Sequence, residues 1–569
     1  MEKPTRYPAS TAPVNLARQL VGQVVRPNGW TVLVIAIAFL ISTPVLFVLS
    51  NIFVDSREIW QHLAQTVLAR YILNSLWLMI GVGCGVLVIG VGTAWLVTMC
   101  RYPGSRLFEW ALLLPLAAPA YVLAYTYTDF LEFSGPVQTA LRSLFGWSYG
   151  DYWFPNIRSV GGAIAMLTLV LYPYVYLLAR VAFLEQSVCT LEASRSLGCG
   201  PWRSFATVAL PLARPAIMAG LALALMETLN DFGTVQYFGV DTFTTGIYRT
   251  WFGMGEREAA AQLAAFLLLF ILWLILLERW SRRQRRYYQS TSRYRQLPSY
   301  QLRGIRAIAA GFACLVPVSL GFGLPAAILL EMTLKNASTT LDDRFWGFAR
   351  NSFILAVITA GLGVAIAIVI AYGLRLRSNM AMRFAARIAS MGYAIPGSVI
   401  AVGILIPIGK LDNAIDAWMR ANFGISTGLL LSGTITALVF AYLVRFLAVS
   451  FSTVEASLGK IKPSLDDAAR SLGHSPASTL VKVHTPMMWG GLLTAAMLVF
   501  VDVMKELPAT LIIRPFNFDT LAVRVYNLAS DERLTEAAGP ALAIVVVGII
   551  PVILLSLRIA ESRTHQTNS

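Results

Sequence analysis

A chain of 569 residues that is 57% hydrophobic and only 13% charged, with a mean hydropathy of +0.65, is too apolar to present a water-compatible surface. The formal charge of +15 does not signal nucleic acid: with the N-terminus placed in the cytoplasm, Lys and Arg concentrate in the loops of that side, the positive-inside pattern of a membrane protein. Cys84, Cys100, Cys189, Cys199 and Cys314 are odd in number and fall in spans or cytoplasmic loops, so no disulfide framework is expected.

Residues 1–29 are polar, basic and proline-containing, which predicts a cytoplasmic segment and an uncleaved first span in place of a signal peptide. Apolar runs of about 20 residues, the length that crosses the hydrocarbon core, follow at 30–52, 71–99, 108–130, 159–183, 208–230 and 257–278. The densest basic stretch, 279–304, then reads as a cytoplasmic linker anchored by the positive-inside rule, with anionic-lipid binding as a second reading. Further runs at 305–331, 351–374, 384–409, 426–447, 487–509 and 538–558 complete twelve, and 559–569 is a cytoplasmic tail. Runs of this length argue for helices and against the short alternating strands of a barrel. The expected fold is all-α, two six-helix halves (30–278 and 305–558) with both termini cytoplasmic.

The halves repeat each other. An offset of 277 sets Asn74-Ser75 on Asn351-Ser352 and Pro119 on Pro396, and an offset of 275 sets Gly198 on Gly473, Pro211 on Pro486, Thr245 on Thr520 and Arg249 on Arg524. An even number of spans per half makes the repeats parallel, related by an axis along the membrane normal, with the substrate path between them. Spans one and seven show little mutual similarity and read as peripheral additions to a five-helix core. Gly81 and Gly85 form a small-xxx-small pair for close helix packing, and Pro115, Pro119, Pro173 and Pro396 are expected to kink their helices.

One polar signature occurs in each half, between the fourth and fifth spans: Glu192-Ala193-Ser194-Arg195, Gly198 and Pro211, then Asp467-Ala468-Ala469-Arg470, Gly473 and Pro486. Small residues let a short helix sit in a groove, the carboxylates of Glu192 and Asp467 suit its N-terminal dipole, and Gly198 and Gly473 allow a positive φ at its end. Arg195 and Arg470 offer a cation to a partner. A charged loop used twice implies a two-fold partner. This signature resembles that of the membrane subunits of ATP-binding-cassette importers, departing from it at Ser194, Asp467 and Thr485. The resemblance implies a type I importer permease fold in which both segments are coupling helices seated on a homodimeric ATPase. No phosphate-binding loop ending in Gly-Lys-Ser/Thr occurs in the chain, so it is read as a non-enzymatic transport subunit, with ATP and Mg held by the partner.

Past each signature the spans carry acidic pairs, Glu227 with Asp231 and Asp502 with Glu506. Spacing of four predicts one helix face per pair, and ionisable groups at membrane depth are functional candidates by default. Four carboxylates about an axial path suit a hard multivalent cation. They are read first as lining the translocation path or its gate; the competing reading is structural, with Lys505 neutralising one of them or the carboxylates capping broken helices, and no metal ligand is assigned. His62, His474, His484 and His565 lack ligand spacing and read as ordinary surface or interface residues.

The runs Leu229-Asn230-Asp231-Phe232-Gly233-Thr234-Val235 and Met504-Lys505-Glu506-Leu507-Pro508-Ala509-Thr510 are similar to those of fused ferric-iron importer permeases. That resemblance implies a bacterial inner-membrane location, a periplasmic binding protein that delivers iron, and alternating access. Permeases of the same layout for thiamine, phosphonate or another small solute are the second reading. A secondary transporter with two six-helix halves is the third, and it leaves the twin signature unexplained.

Overall fold

The structure, a computed structural model, describes residues 29–54, 57–148, 150–184, 200–283, 300–376 and 379–567. Among these residues ten helices are long and apolar enough to cross a membrane, and two further spans form only if each of two bent helix pairs is joined across its break. The long helices are α1 (Gly29–Ser50), α2 (Leu68–Met99), α3 (Ala120–Leu131), α4 (Val160–Leu184), α5 (Leu210–Asn230) and α6 (Arg257–Arg283) in the first half. The second half has α7 (Leu324–Lys335), α8 (Asp343–Leu376), α9 (Gly397–Phe423), α10 (Ile435–Gly459), α11 (Trp489–Met504) and α12 (Leu534–Thr567). Helix α7 is continuous through a π turn with Ile305–Val318. Within a bilayer only structures that pair every backbone group internally survive, which is why the apolar runs became helices.

Three expected spans are interrupted, two of them in the same way. The run 108–130 bends by 90° between Ser105–Ala117 and Ala120–Phe145, and 384–409 divides into Met380–Ala389 and α9. In each case a 3-10 turn, Leu114–Ala117 or Gly392–Ala394, leads to an extended residue and then to a proline at the N-cap, Pro119 or Pro396. These prolines therefore begin helices and do not kink them. The residue before a proline is pushed out of the helical region, and Ala118 (ψ 123°) and Ile395 (ψ 127°) are extended accordingly. Pro173 does lie inside its helix, and Pro115 sits at the start of the 3-10 turn. The run 487–509 likewise begins only at Trp489, where Pro476–Met487 meets it at 80°.

Close packing follows small residues. A Cβ on Gly81 or Gly85 would come to 2.5 Å from Ile164 or 2.6 Å from Thr168 on α4, and one on Gly90 to 2.8 Å from Val175, so α2 and α4 touch along a whole face. The repeat also holds in detail: Asn74 and Asn351 donate to the carbonyls of Asp241 (2.9 Å) and Asp519 (3.1 Å). Each aspartate precedes a threonine N-cap, Thr242 or Thr520. The structural partner of Thr520 is thus Thr242 and not Thr245, because the second half has three more residues before that cap, which also separates Arg249 from Arg524.

The leading spans lie at the outside of the bundle, each against the opposite half. Helix α1 lies against Met380–Ala389 and α9 of the second half, with Trp30 edge-on to Tyr372 at 5.7 Å. The 305–335 helix reaches the first half, where Tyr127 donates to the Leu320 carbonyl at 2.6 Å and Tyr102 meets Cys314 at 3.1 Å. Each half thus holds the other's first helix. At the α1 contact, Gly403 of α9 abuts the Pro44 carbonyl, with no room for a Cβ, whereas Gly409 on the same helix faces open space. Gly403→Leu is expected to lower stability by about 1–3 kcal/mol, seen as a lower melting temperature of the detergent-solubilised chain; Gly409→Leu should leave it unchanged.

Candidate functional site

Helix α5 ends at Asn230, the chain extends through Asp231 (ψ 133°), and a new short helix, Gly233–Tyr237, begins. Helix α11 ends at Met504 and is followed by Pro508–Ile513. A helix that starts anew exposes N–H groups without carbonyl partners. The Asp231 carboxylate accepts from the backbone N–H groups of Thr234 and Val235, both at 3.1 Å, and from the Thr234 hydroxyl at 3.0 Å. Glu506 does the same for Ala509 (2.9 Å) and Thr510 (3.0 Å). A helix break therefore separates the members of each acidic pair, which do not share a helix face. Asp231 and Glu506 close the breaks, while Glu227 and Asp502 remain on α5 and α11.

Two cations meet these carboxylates. Arg445 of α10, 7% exposed, donates to Glu506 at 3.0 Å and lies 3.9 Å from Glu227 across the interface between halves. Lys505 pairs with Asp502 at 2.9 Å. Among the described residues no group of three or more His, Cys, Asp or Glu stands in metal-holding geometry, so the four carboxylates do not converge as a cation site in this conformation. Arg445 was missed in the sequence, although an arginine in the apolar run Ala437–Phe446 is itself a signal.

Around these charges the halves join through hydrogen bonds. The Asn230 side chain accepts from the Gly397 N–H at 2.9 Å, Tyr248 donates to the Pro508 carbonyl, and the hydroxyls of Tyr174 and Tyr393 meet at 3.4 Å. Beside them lies an open cavity of about 130 Å³ lined from both halves, with Tyr174 and Glu227 from the first and Tyr393, Asp502 and Lys505 from the second.

Of the twin signature, Glu192, Ala193, Ser194, Arg195 and Gly198 lie outside the described residues, and Pro211 stands in the first turn of α5. The second copy forms a helix, Ser464–Ser471. Ala469 is its buried contact, while Asp467, Ala468 and Arg470 are exposed, the two charges 3.5 Å apart. Gly473 ends it at φ +80°, a left-handed conformation natural to glycine, and Pro486 opens the short helix Thr485–Met487.

The residue that anchors this helix is Asp466, the neighbour of the one the signature singles out. It accepts from Arg375 Nε at 2.8 Å and contacts His484 Nε2 at 2.8 Å. Arg375, at the end of α8, also donates to the carbonyls of Leu458 (2.8 Å) and Ile461 (3.0 Å), tying α8, α10 and the signature helix together. His484 is fully buried, edge-on to Tyr372, whose hydroxyl donates to the Pro476 carbonyl at 2.8 Å. At the matching places the first half has Trp95 for Tyr372 and Ala209 for His484, and Trp95 packs on Phe183 (5.6 Å) and Phe205 (4.7 Å). The seat of the second copy is therefore ionic.

Asp466→Ala is expected to loosen the 464–471 helix by about 1–3 kcal/mol, read as several-fold faster tryptic cleavage after Arg470 in the native protein; Asp467→Ala should not change that rate. Glu506→Gln leaves Arg445 buried without its carboxylate and should cost about 3–5 kcal/mol. A paired Arg445→Met substitution is expected to recover a large part of that loss in thermal melting.

Residues 87–287 and 363–564 each match the family of binding-protein-dependent transport system inner membrane components. The Fe(3+)-transport system permease protein FbpB 2 of Haemophilus influenzae is 27% identical over 540 residues, covering 93% of this chain and 98% of that protein. The ferric transport system permease protein FbpB of Actinobacillus pleuropneumoniae is 24% identical over 91% of this chain and 76% of its own length. The molybdenum transport system permease protein ModB of Escherichia coli is 28% identical over 200 residues, 34% of this chain and 84% of that protein. The matched segments hold both helix breaks and both signatures, and a secondary transporter is no longer a viable reading. The chain belongs to the family of binding-protein-dependent transport system inner membrane components, a multi-pass membrane protein in which the family unit occurs twice.

Proposed function

We propose that this chain is the permease of an ATP-driven importer that moves ferric iron, delivered by a periplasmic binding protein, through the cavity between its halves by alternating access. The observation that carries the reading is the pair of capped helix breaks, one from each half, meeting at a cavity that presents Glu227, Asp502 and Lys505. A pseudo-symmetric junction held by hydrogen bonds and ion pairs can open on either side by relative motion of the halves, which suits alternating access about a midplane site. The near-full-length similarity to ferric permeases supports the cargo.

The two signature segments, 192–198 and 467–473, act as coupling helices in this reading. They lie in the cytoplasm with both termini and seat on a separate homodimeric ATPase, which binds ATP and Mg. The exposed Asp467 and Arg470 beside a buried Ala469 support a docking edge. Reversing charge at Glu192 and Asp467 and placing leucine at Gly198 and Gly473 is expected to reduce ATPase co-purification and uptake about tenfold or more.

A second reading, transport of a small oxyanion, is favoured by the cations Arg445 and Lys505 at the cavity. Uptake of labelled ferric iron, molybdate and thiamine in a strain lacking this chain, with and without its return on a plasmid, separates the two. Restored iron uptake that requires the ATPase is the expected result; iron uptake indifferent to the deletion removes the ferric assignment.

A further inference from the structure

The duplicated sequence is unequal where it matters electrically. Glu227, Asn230 and Asp231 of the first half stand against Asp502, Lys505 and Glu506 of the second. Helices α4 and α10 have the same length, and at that register Arg445 replaces Val170. The carboxylates are thus shared evenly between the halves, but both cations come from the second.

The two cations are held differently. Arg445 is buried, bonded to Glu506 at 3.0 Å and set over the Phe446 ring at 5.3 Å, so it is fixed. Lys505 sits at the C-cap of α11 with its side chain 31% exposed to the cavity, and its ion pair is with Asp502 at 2.9 Å. An ammonium on a flexible four-carbon stem is a point charge that can swing away, unlike a forked guanidinium. Asn230, at the equivalent place, is committed to the Gly397 N–H.

Resting on the ferric reading above, the structure assigns Lys505 the role of a displaceable counter-cation that sets selectivity for highly charged cargo. Each of the four carboxylates has a partner: Asp231 and Glu506 close helix breaks, Arg445 faces Glu227, and Lys505 neutralises Asp502. An arriving cation must take Asp502 from the lysine. Coulomb energy scales with charge, so at equal distance a trivalent ion gains about three times what the ammonium gives up, and a monovalent ion gains nothing. Lys505 therefore disfavours a monovalent cation such as sodium at Asp502 while yielding to a hard trivalent ion.

The test uses the purified complete transporter and Tb³⁺, a hard trivalent probe whose emission is sensitised by nearby tyrosines, here Tyr174 and Tyr393. Lys505→Met is expected to tighten Tb³⁺ binding about tenfold or more, Lys505→Arg to weaken it below the parent because the forked guanidinium holds Asp502, and Asp502→Asn added to Lys505→Met to abolish the gain. Lys505→Asn, the residue the first half carries, serves as a second variant should methionine impair folding. Equal Tb³⁺ affinity with and without Lys505 in assembled complexes overturns the role. So does a Lys505→Met complex with unchanged Tb³⁺ affinity that loses uptake of molybdate, which marks the lysine as an anion ligand. The ferric reading is tested separately by iron uptake in proteoliposomes of the unsubstituted complex; if that fails, the assignment to iron cargo falls whatever the Tb³⁺ result.

Discussion

Interrupting a helix inside a membrane frees backbone N–H groups where there is no water to receive them, and each unpaired group costs several kcal/mol. Asp231 and Glu506 resolve this by turning their carboxylates onto the N–H groups of the helices that follow. Much else follows from those two caps. They let α5 and α11 stop short, which opens space for the cavity, and they bring buried negative charge that calls for a cation nearby. Arg445 answers Glu506 directly and reaches toward Glu227, so the device that makes the breaks tolerable also links one half to the other.

The second consequence is division of labour between copies of one design. Duplication supplies two of everything, yet the cations near the cavity and the ionic cluster of Arg375, Asp466 and His484 belong to the second half, while at the matching places the first half has Val170, Asn230, Trp95 and Ala209. In a transporter of two identical chains a substitution appears twice and cannot differentiate the sides. Fusion removes that constraint. One half can bear counter-charge while the other contributes carboxylates alone.

Much of this was legible in the residues. Long apolar runs fixed the helices, and the repeat offset set Glu227 on Asp502 and Asp231 on Glu506, which the two helix breaks follow. What the sequence concealed were geometric choices made by backbone chemistry. Pro119 and Pro396 look like kinks in continuous spans, but a proline preceded by an extended residue is better used to begin a helix than to bend one. Asp231 and Glu506 look like partners one turn past Glu227 and Asp502, since four-residue spacing is uninformative once the helix ends between them. Asp466 was hidden by its neighbour: two adjacent aspartates point in different directions from a helix, and only the packing of α8 decides which is anchored. Spans one and seven gave no sign of crossing to the opposite half, because helix exchange leaves no local pattern.

That exchange has a consequence for how the chain is made. Helix α1 is synthesised first, yet the surfaces that receive it, Met380–Ala389 and α9, emerge more than 300 residues later. At about 5–20 residues per second the leading helix waits in the bilayer for a time on the order of tens of seconds before its groove exists. With both halves on one polypeptide the awaited groove arrives tethered, at high effective concentration. Biogenesis of the first half is thereby completed by the second, and a ribosome that stops after residue 283 leaves an opening helix held only at its far end, where Gln262 of α6 donates to the Asn51 and Val54 carbonyls.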